Sequence, residues 1–331
     1  MKKTVRKSII ASVLLAMTLL APYALVSCEK YEKKAISGKT TVMCDESFKN
    51  VLDDEISVFE YQYPQAEIEP KYVGETEALD SLLKNKCEMI ITYRELTKEQ
   101  QEYLKNHNRK YRCRQIAVDG VALIANNALD IDNLSMENLR DIFSGRITTW
   151  GKIYPTKFKN DTIRVIFDGN GSAAQHFIRD KFLNGKQFTI KLYAEKSSED
   201  VFRAVMKGKN TLGVVGVSWL SANLDESKPS MEQRMKDLES NEASSIDFTD
   251  KIKVMGVMPD GSIEGVKPYQ AYLYDASYPL YRPIYAIDTS YAGLAHDFYI
   301  FVTSAIGQKI VLQSGIVPAA EPVRVVQVET K

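Results

Sequence analysis

The apolar positions of this chain change period repeatedly: short unbroken runs give way to stripes spaced three and four residues apart. Thr40–Cys44 is one such run and predicts a strand. A helix is predicted from about Phe48 to Tyr61, with Phe48, Leu52, Ile56 and Phe59 on one face. Pro64 ends the connection, and Glu67–Val73 predicts a second strand. Gly74-Glu75-Thr76-Glu77 then opens a helix carrying Ala78, Leu82 and Leu83. Met89–Ile91 predicts a third strand that delivers Thr92-Tyr93-Arg94, and Thr97 with Gln100 fits a capping box. This strand-helix alternation with short loops predicts an α/β fold, a doubly wound parallel sheet with helices on both faces. Ligands of such sheets bind beyond the carboxyl ends of the strands. Asp45–Ser47, Gly74–Thr76 and Thr92–Arg94 all lie at those ends.

The same rhythm resumes downstream. Gln115–Asn126 predicts a long strand interrupted by Asp119-Gly120, a bend where the chain crosses between lobes. Ser135 caps a predicted helix over Met136–Phe143, and Gly145 fits its C′ position. A β-branched run from Thr162 to Ile166 breaks at Asp168-Gly169-Asn170-Gly171. Ser172 is then a candidate N-cap for a helix bearing Ala173, Phe177, Ile178 and Phe182. A glycine loop opening onto a helix start offers unpaired N–H groups and the positive end of a dipole, a ready anion site. An ordinary strand-to-helix turn reads the same way, so the surroundings decide. A strand near Phe188–Tyr193, a helix over Ser198–Met206 and a strand over Leu212–Val217 complete a second α/β lobe. Residues 222–250 are charged and serine-rich, which predicts a surface insertion with one helix around Met231–Leu238. Ile252–Met258 and Tyr272–Ile287 contain strand-like runs, and helices over Ala292–Val302 and Ala305–Leu312 close the chain before Gly315 and Pro318. Eight tyrosines crowd 269–299, chiefly as packing.

Composition changes the picture at the amino terminus. Lys2, Lys3, Arg6 and Lys7 precede an apolar run, Ile9–Leu20, that is short for a membrane span. Leu25-Val26-Ser27-Cys28 looks like a lipobox, which makes 1–27 a lipoprotein signal, Cys28 the lipid attachment and 28–39 a tether. A plain secretory signal with an incidental cysteine is the alternative. Without 1–27 the chain keeps 39 basic and 43 acidic residues, a net of −4, so no basic field for nucleic acid exists. About 300 remaining residues suffice for two cores. Cys44, Cys87 and Cys113 cannot all pair and show no metal spacing; they read as small apolar residues, with one disulfide open. His107, His176 and His296 are far apart in sequence, and neither H-E-x-x-H nor G-x-S-x-G occurs, which argues against an enzyme. Residues 169–174 satisfy G-x-G-x-x-A, with Glu195 downstream, but an export signal and a mid-chain position argue against a dinucleotide cofactor.

Several stretches together resemble the substrate-binding proteins of phosphate ABC transporters: VDGVALIANNALDIDNLSMENLRDIFSGRITTW (118–150), TLGVVGVSWL (211–220), YPLYRPIYAI (278–287) and FVTSAIGQKIVLQSGIVPA (301–319). With the strand-loop-helix start at 41–64, the likeness covers most of the mature chain except 222–250. The lipid-anchored style, with its CDESF and TYREL loops, looks most like Bacteroidetes forms. The resemblance implies a type II periplasmic-binding-protein fold, two lobes joined by a hinge that close over the ligand. Lobe 1 then comprises 40–117 plus 275–325, and lobe 2 comprises 118–274. It implies capture of inorganic phosphate and delivery to an ABC permease, at the periplasmic face of the cell envelope, without cofactor or metal. The implied donors fall on Glu46, Ser47 and Phe48 in the first loop, on Thr76 in the second, on Thr92 and Arg94 in the third, and on Asp168, Gly171 and Ser172 in the glycine loop. The family's loop threonine is missing at Ala173-Ala174, and Phe167 replaces its arginine; Arg164 is near in sequence, and Arg94 is the offsetting cation. A carboxylate that accepts the phosphate proton would reject sulfate, with Asp45, Asp119 and Asp168 as candidates. The altered loop leaves a second expectation, an oxyanion sensor or non-transport interaction lipoprotein on the same fold.

Overall fold

A computed structural model describes residues 36–158, 161–220, 230–240 and 251–320. The expected signal, lipobox cysteine and most of the tether lie outside the described residues, as does most of 222–250. The chain opens with β1 (Gly38–Cys44), so the end of the expected tether is already strand. A short 3-10 turn at Glu46–Phe48 leads into α1 (Lys49–Gln62), whose Leu52, Ile56 and Phe59 face the core as their spacing requires. Then come β2 (Ala66–Tyr72), α2 (Glu75–Leu83), β3 (Met89–Thr92), and α3 (Lys98–Asn106) with its capping box in place. β1 pairs in parallel with β2 and β3, giving the expected winding. One core packs Phe59 against Phe298 and Phe301, each at 5.1 Å between ring centroids. A second, smaller core on the opposite sheet face gathers Met43, Leu79, Leu82, Ile90 and Leu104.

Everything turns on β4 (Arg112–Asn126), which runs through both halves without a break at Asp119-Gly120. Its amino half pairs antiparallel with β11 (Tyr281–Asp288), its carboxyl half with β8 (Thr211–Gly216) and β9 (Ile252–Val254). β11 also lies antiparallel to β3, so the first sheet is mixed rather than purely parallel. The second half adds β5 (Asn133–Ser135), α4 (Met136–Phe143), β6 (Arg164–Phe167), α5 (Ala173–Leu183), β7 (Tyr193–Ala194) and α6 (Ser198–Lys207). β6 pairs in parallel with β7 and β8, and Phe143, Phe167, Phe182 and Phe188 form its aromatic core. Beyond lie α7 (Met231–Ser240), β10 (Gly256–Met258), α8 (Gln270–Tyr274), α9 (Leu294–Val302), α10 (Ala305–Gln313) and β12 (Val317–Pro318). Among the described residues, no helix is long and apolar enough to cross a membrane.

Three expectations need correction. Phe188–Leu192 is not strand; Phe188, Ile190 and Leu192 pack against the core from an irregular segment, and only Tyr193–Ala194 reach β6. The run from Tyr272 begins as α8, and Ala276 takes a left-handed φ of 59° before β11 starts. Cys44, Cys87 and Cys113 are all free thiols, and Cys87 lies in the irregular segment just before β3.

Candidate functional site

The loops at the strand ends of the two halves meet face to face. β1 ends at Asp45, whose carboxylate accepts from the N–H of Ser47 at 3.0 Å and from the N–H of Ala173 at 2.8 Å. One side chain thus caps its own turn and the amino end of α5 in the other half. Ser47 Oγ donates to Asp168 Oδ2 at 2.8 Å, and Ser198 Oγ donates to the same oxygen at 3.2 Å. Asp168 is fully buried, and its Oδ1 is buried without a hydrogen-bond partner. Ser172 is the N-cap of α5, as its sequence context predicts: its Oγ accepts from Gln175 N at 3.3 Å, which leaves the hydroxyl proton to donate. Gly171 has φ of 74°, a conformation glycine adopts at no steric cost, and its N–H donates to Gln175 Oε1 at 2.6 Å. A Cβ on Gly74 would stand 3.1 Å from Gly171 O, so the second loop and the glycine loop touch through backbone.

A second cluster surrounds Glu75, which is completely buried. Thr92 Oγ1 donates to its Oε1 at 2.5 Å, while His176 Nδ1 lies 2.9 Å and Arg94 Nη2 3.2 Å from its Oε2. Glu75 therefore engages both third-loop candidates and reaches α5 across the cleft. Thr76, the hydroxyl expected from this loop, is exposed in the first turn of α2. The sequence reading passed over Glu75 because an acid in a first helical turn already has a local role. His176 is buried, and Tyr93 OH adds another crossing bond to Asp180 at 2.7 Å. Replacing Glu75 by alanine is expected to cost about 1.5–3 kcal/mol, the range for hydrogen bonds to a charged group. Urea unfolding of the variant at constant slope measures it; no loss would mean the three donors find water instead.

Of the other candidates, Phe48 is core, its ring 4.5 Å from the Arg282 guanidinium carbon. Glu46 is half-buried, and Trp219 Nε1 donates to its carbonyl at 3.4 Å. Asp119 is not in the loop cluster: Arg282 donates to its Oδ2 from Nε at 3.1 Å and Nη2 at 2.9 Å, and Val217 N donates to Oδ1. It lies on the crossing strands, opposite Arg282. Phe167 lies in the aromatic core, and Arg164 is exposed at the far end of β6, so neither brings charge to the cleft. Burial, then the nearby Asp168 charge, pushes the Asp45 carboxyl up to about 6. Burial likewise pushes Glu46 up to about 7, with Lys49 pulling against it and Asp168 adding to it. Both acids thus titrate nearer neutrality than ordinary carboxyls, Glu46 more so than Asp45.

The cleft therefore combines the uncommitted Ser172 hydroxyl, a helix amino terminus, two raised carboxyls and one buried carboxylate oxygen without a donor. The sequence matches the family described as "PBP superfamily domain" over residues 30–305. It is 27% identical over 124 residues to phosphate-binding protein PstS 2 of Streptococcus pneumoniae, covering 38% of this chain and 40% of that protein. Over 145 residues it is 27% identical to phosphate-binding protein PstS of Staphylococcus aureus, 44% of this chain and 42% of the relative. The chain thus spans about two fifths of the length of these relatives. A phosphate-bound structure of a putative phosphate ABC transporter substrate-binding protein from Clostridium perfringens superposes with a TM-score of 0.66 at 19% identity. It covers 85% of this chain and all of the other. An ABC-type phosphate transport receptor from Vibrio cholerae gives 0.59 at 17% identity, over 84% and 99% of the two chains. At these identities the structural likeness speaks to the fold.

Proposed function

The chain belongs to the PBP superfamily, and from that premise we propose that it captures inorganic phosphate between its two halves and presents it to an ABC permease. The observation that carries this reading is Asp168: a buried carboxylate with one oxygen lacking a donor, beside Ser47, Ser172, Ser198 and the start of α5. Phosphate near neutral pH retains a proton and can supply that missing donor, whereas sulfate has none. Another of its oxygens can accept the uncommitted Ser172 hydroxyl, and the Ser47 and Ser198 hydroxyls, which here donate to Asp168, would have to turn to the ligand. The phosphate-binding relatives support the same ligand. On this reading the site performs no covalent chemistry, and the protein works at the periplasmic face of the cell envelope, held to a membrane by a lipid on Cys28. Residues 40–117 with 275–325, and 118–274, are the two bodies that move.

Calorimetry of residues 29–331, unfolded and refolded to strip carried ligand, tests the reading against phosphate and sulfate. Phosphate is expected to bind one per chain with little sulfate response, and Asp168→Asn to erase most of that preference. Ser47→Ala and Ser172→Ala are each expected to weaken phosphate by about 1–3 kcal/mol. Absence of binding to either anion would sink the transport reading. It would favour a sensor or interaction protein in which Glu75 keeps Thr92 and Arg94 for itself.

A further inference from the structure

A second cavity lies in the downstream half, away from the loop cluster. It opens at the amino ends of β6 and β8, whereas Asp168 follows the carboxyl end of β6. Its volume is about 920 Å³, within the span that encloses a drug-sized ligand. Ile147, Ile163, Val165 and Ile190 give it an apolar floor, and Arg164, Lys191 and Lys209 stand on its rim. No aspartate or glutamate lines it, and no described carboxylate pairs with any of the three cations. Asp161, just outside, accepts instead from Asn210 Nδ2 at 3.3 Å.

Two of these cations are held in place by one ring. The Arg164 guanidinium carbon lies 4.2 Å from the Tyr193 ring centroid, and Lys191 Nζ lies 5.0 Å from it. Both cations thus lie within cation–π reach of one ring, no more than about 9 Å apart, beside an apolar hollow. With no carboxylate lining the cavity, an anion there meets both positive charges at short range. The apolar floor beneath offers a place for a hydrocarbon body once water is displaced. Thr189, also on the wall, donates its hydroxyl to Ser144 O at 2.7 Å and ties this wall to the end of α4.

We propose that this cavity is a binding site for a single-chain anionic amphiphile, its headgroup on Arg164, Lys191 and Lys209 and its hydrocarbon over the isoleucine floor. The site is separate from the oxyanion cleft and does not depend on what that cleft binds. Monomeric dodecyl phosphate is the probe, titrated by calorimetry into residues 29–331, which contain every described residue. One saturable equivalent is expected, weakening as salt rises because the cations are exposed. Uncharged dodecyl maltoside is expected to bind at least about tenfold less tightly.

Arg164→Glu with Lys191→Glu should lower dodecyl phosphate affinity about tenfold or more and leave inorganic phosphate affinity unchanged. If that pair disturbs the circular dichroism spectrum, Lys209→Glu replaces it, with a smaller loss expected. The proposal is overturned by the absence of saturable binding, by several equivalents per chain, or by affinity indifferent to these reversals. Capture by anionic phospholipid vesicles without binding of the monomer also overturns it, in favour of a membrane-facing surface.

Discussion

Arg282→Met is expected to cost about 3–5 kcal/mol of folding stability, the range for removing one partner of a buried ion pair. Arg282 and Asp119 are both completely buried and stand opposite each other on β11 and β4, the strands that join the two halves. Burial raises the Asp119 carboxyl above its ordinary range, and the guanidinium is the main influence pulling it back. With methionine at 282 the carboxylate keeps only its backbone donors, so it must stay charged without a cation or take up a proton. Urea unfolding at pH 7 should show the loss, and lowering the pH toward 5 should shrink it as the carboxyl protonates. Pairing Arg282→Met with Asp119→Leu removes both charges and should recover much of the stability. A loss below about 1 kcal/mol at pH 7 would mean that the pair is incidental to joining the halves.

The second large effect is a dependence on pH set by Asp45. Its folded-state value is raised from 3.8 to about 6, so between those values the folded chain holds a proton that the unfolded chain has released. Stability therefore falls as pH rises through that window and levels off, for this group, above about 6. A shift of two units corresponds to about 3 kcal/mol for a fully buried group, an order-of-magnitude figure. Glu46 acts in the same direction up to about 7, but its partial exposure makes the contribution smaller. Asp45→Asn removes the ionisation, so the variant should gain on the parent as pH rises through the Asp45 window and hold a constant lead beyond it. Denaturant titrations of both proteins across that range provide the check, and parallel curves would show that Asp45 ionises freely in the fold.

Much of this arrangement was legible in residue order because turn chemistry is local. Asp45-Glu46-Ser47, Gly74-Glu75, Thr92-Tyr93-Arg94 and Asp168 to Ser172 are each a strand end followed by helix-starting residues, and each sits at the cleft. The Ser135, Ser172 and Thr97 caps were readable for the same reason. What escaped depended on distant partners. Arg282 is unremarkable until Asp119, 163 positions away, is brought opposite it. Glu75 reads as one more residue of a helix-opening loop until His176 arrives from α5. Phe188, Ile190 and Leu192 alternate as a strand should, yet only Tyr193–Ala194 find a neighbouring strand to pair with. The tyrosine-rich run from 272 misled in the opposite direction, since aromatic residues suit a strand but here begin a short helix.

Four side chains of the first half end on one short stretch of the second: Asp45 on Ala173, Ser47 on Asp168, Glu75 on His176, and Tyr93 on Asp180. That stretch is a loop continuing into a single helix, so all four contacts bear on one connected segment, like the teeth of one clasp. If the cleft takes phosphate as proposed, its residence time follows from how seldom the clasp parts rather than from how fast solutes arrive, and the permease's part is to pry the clasp apart.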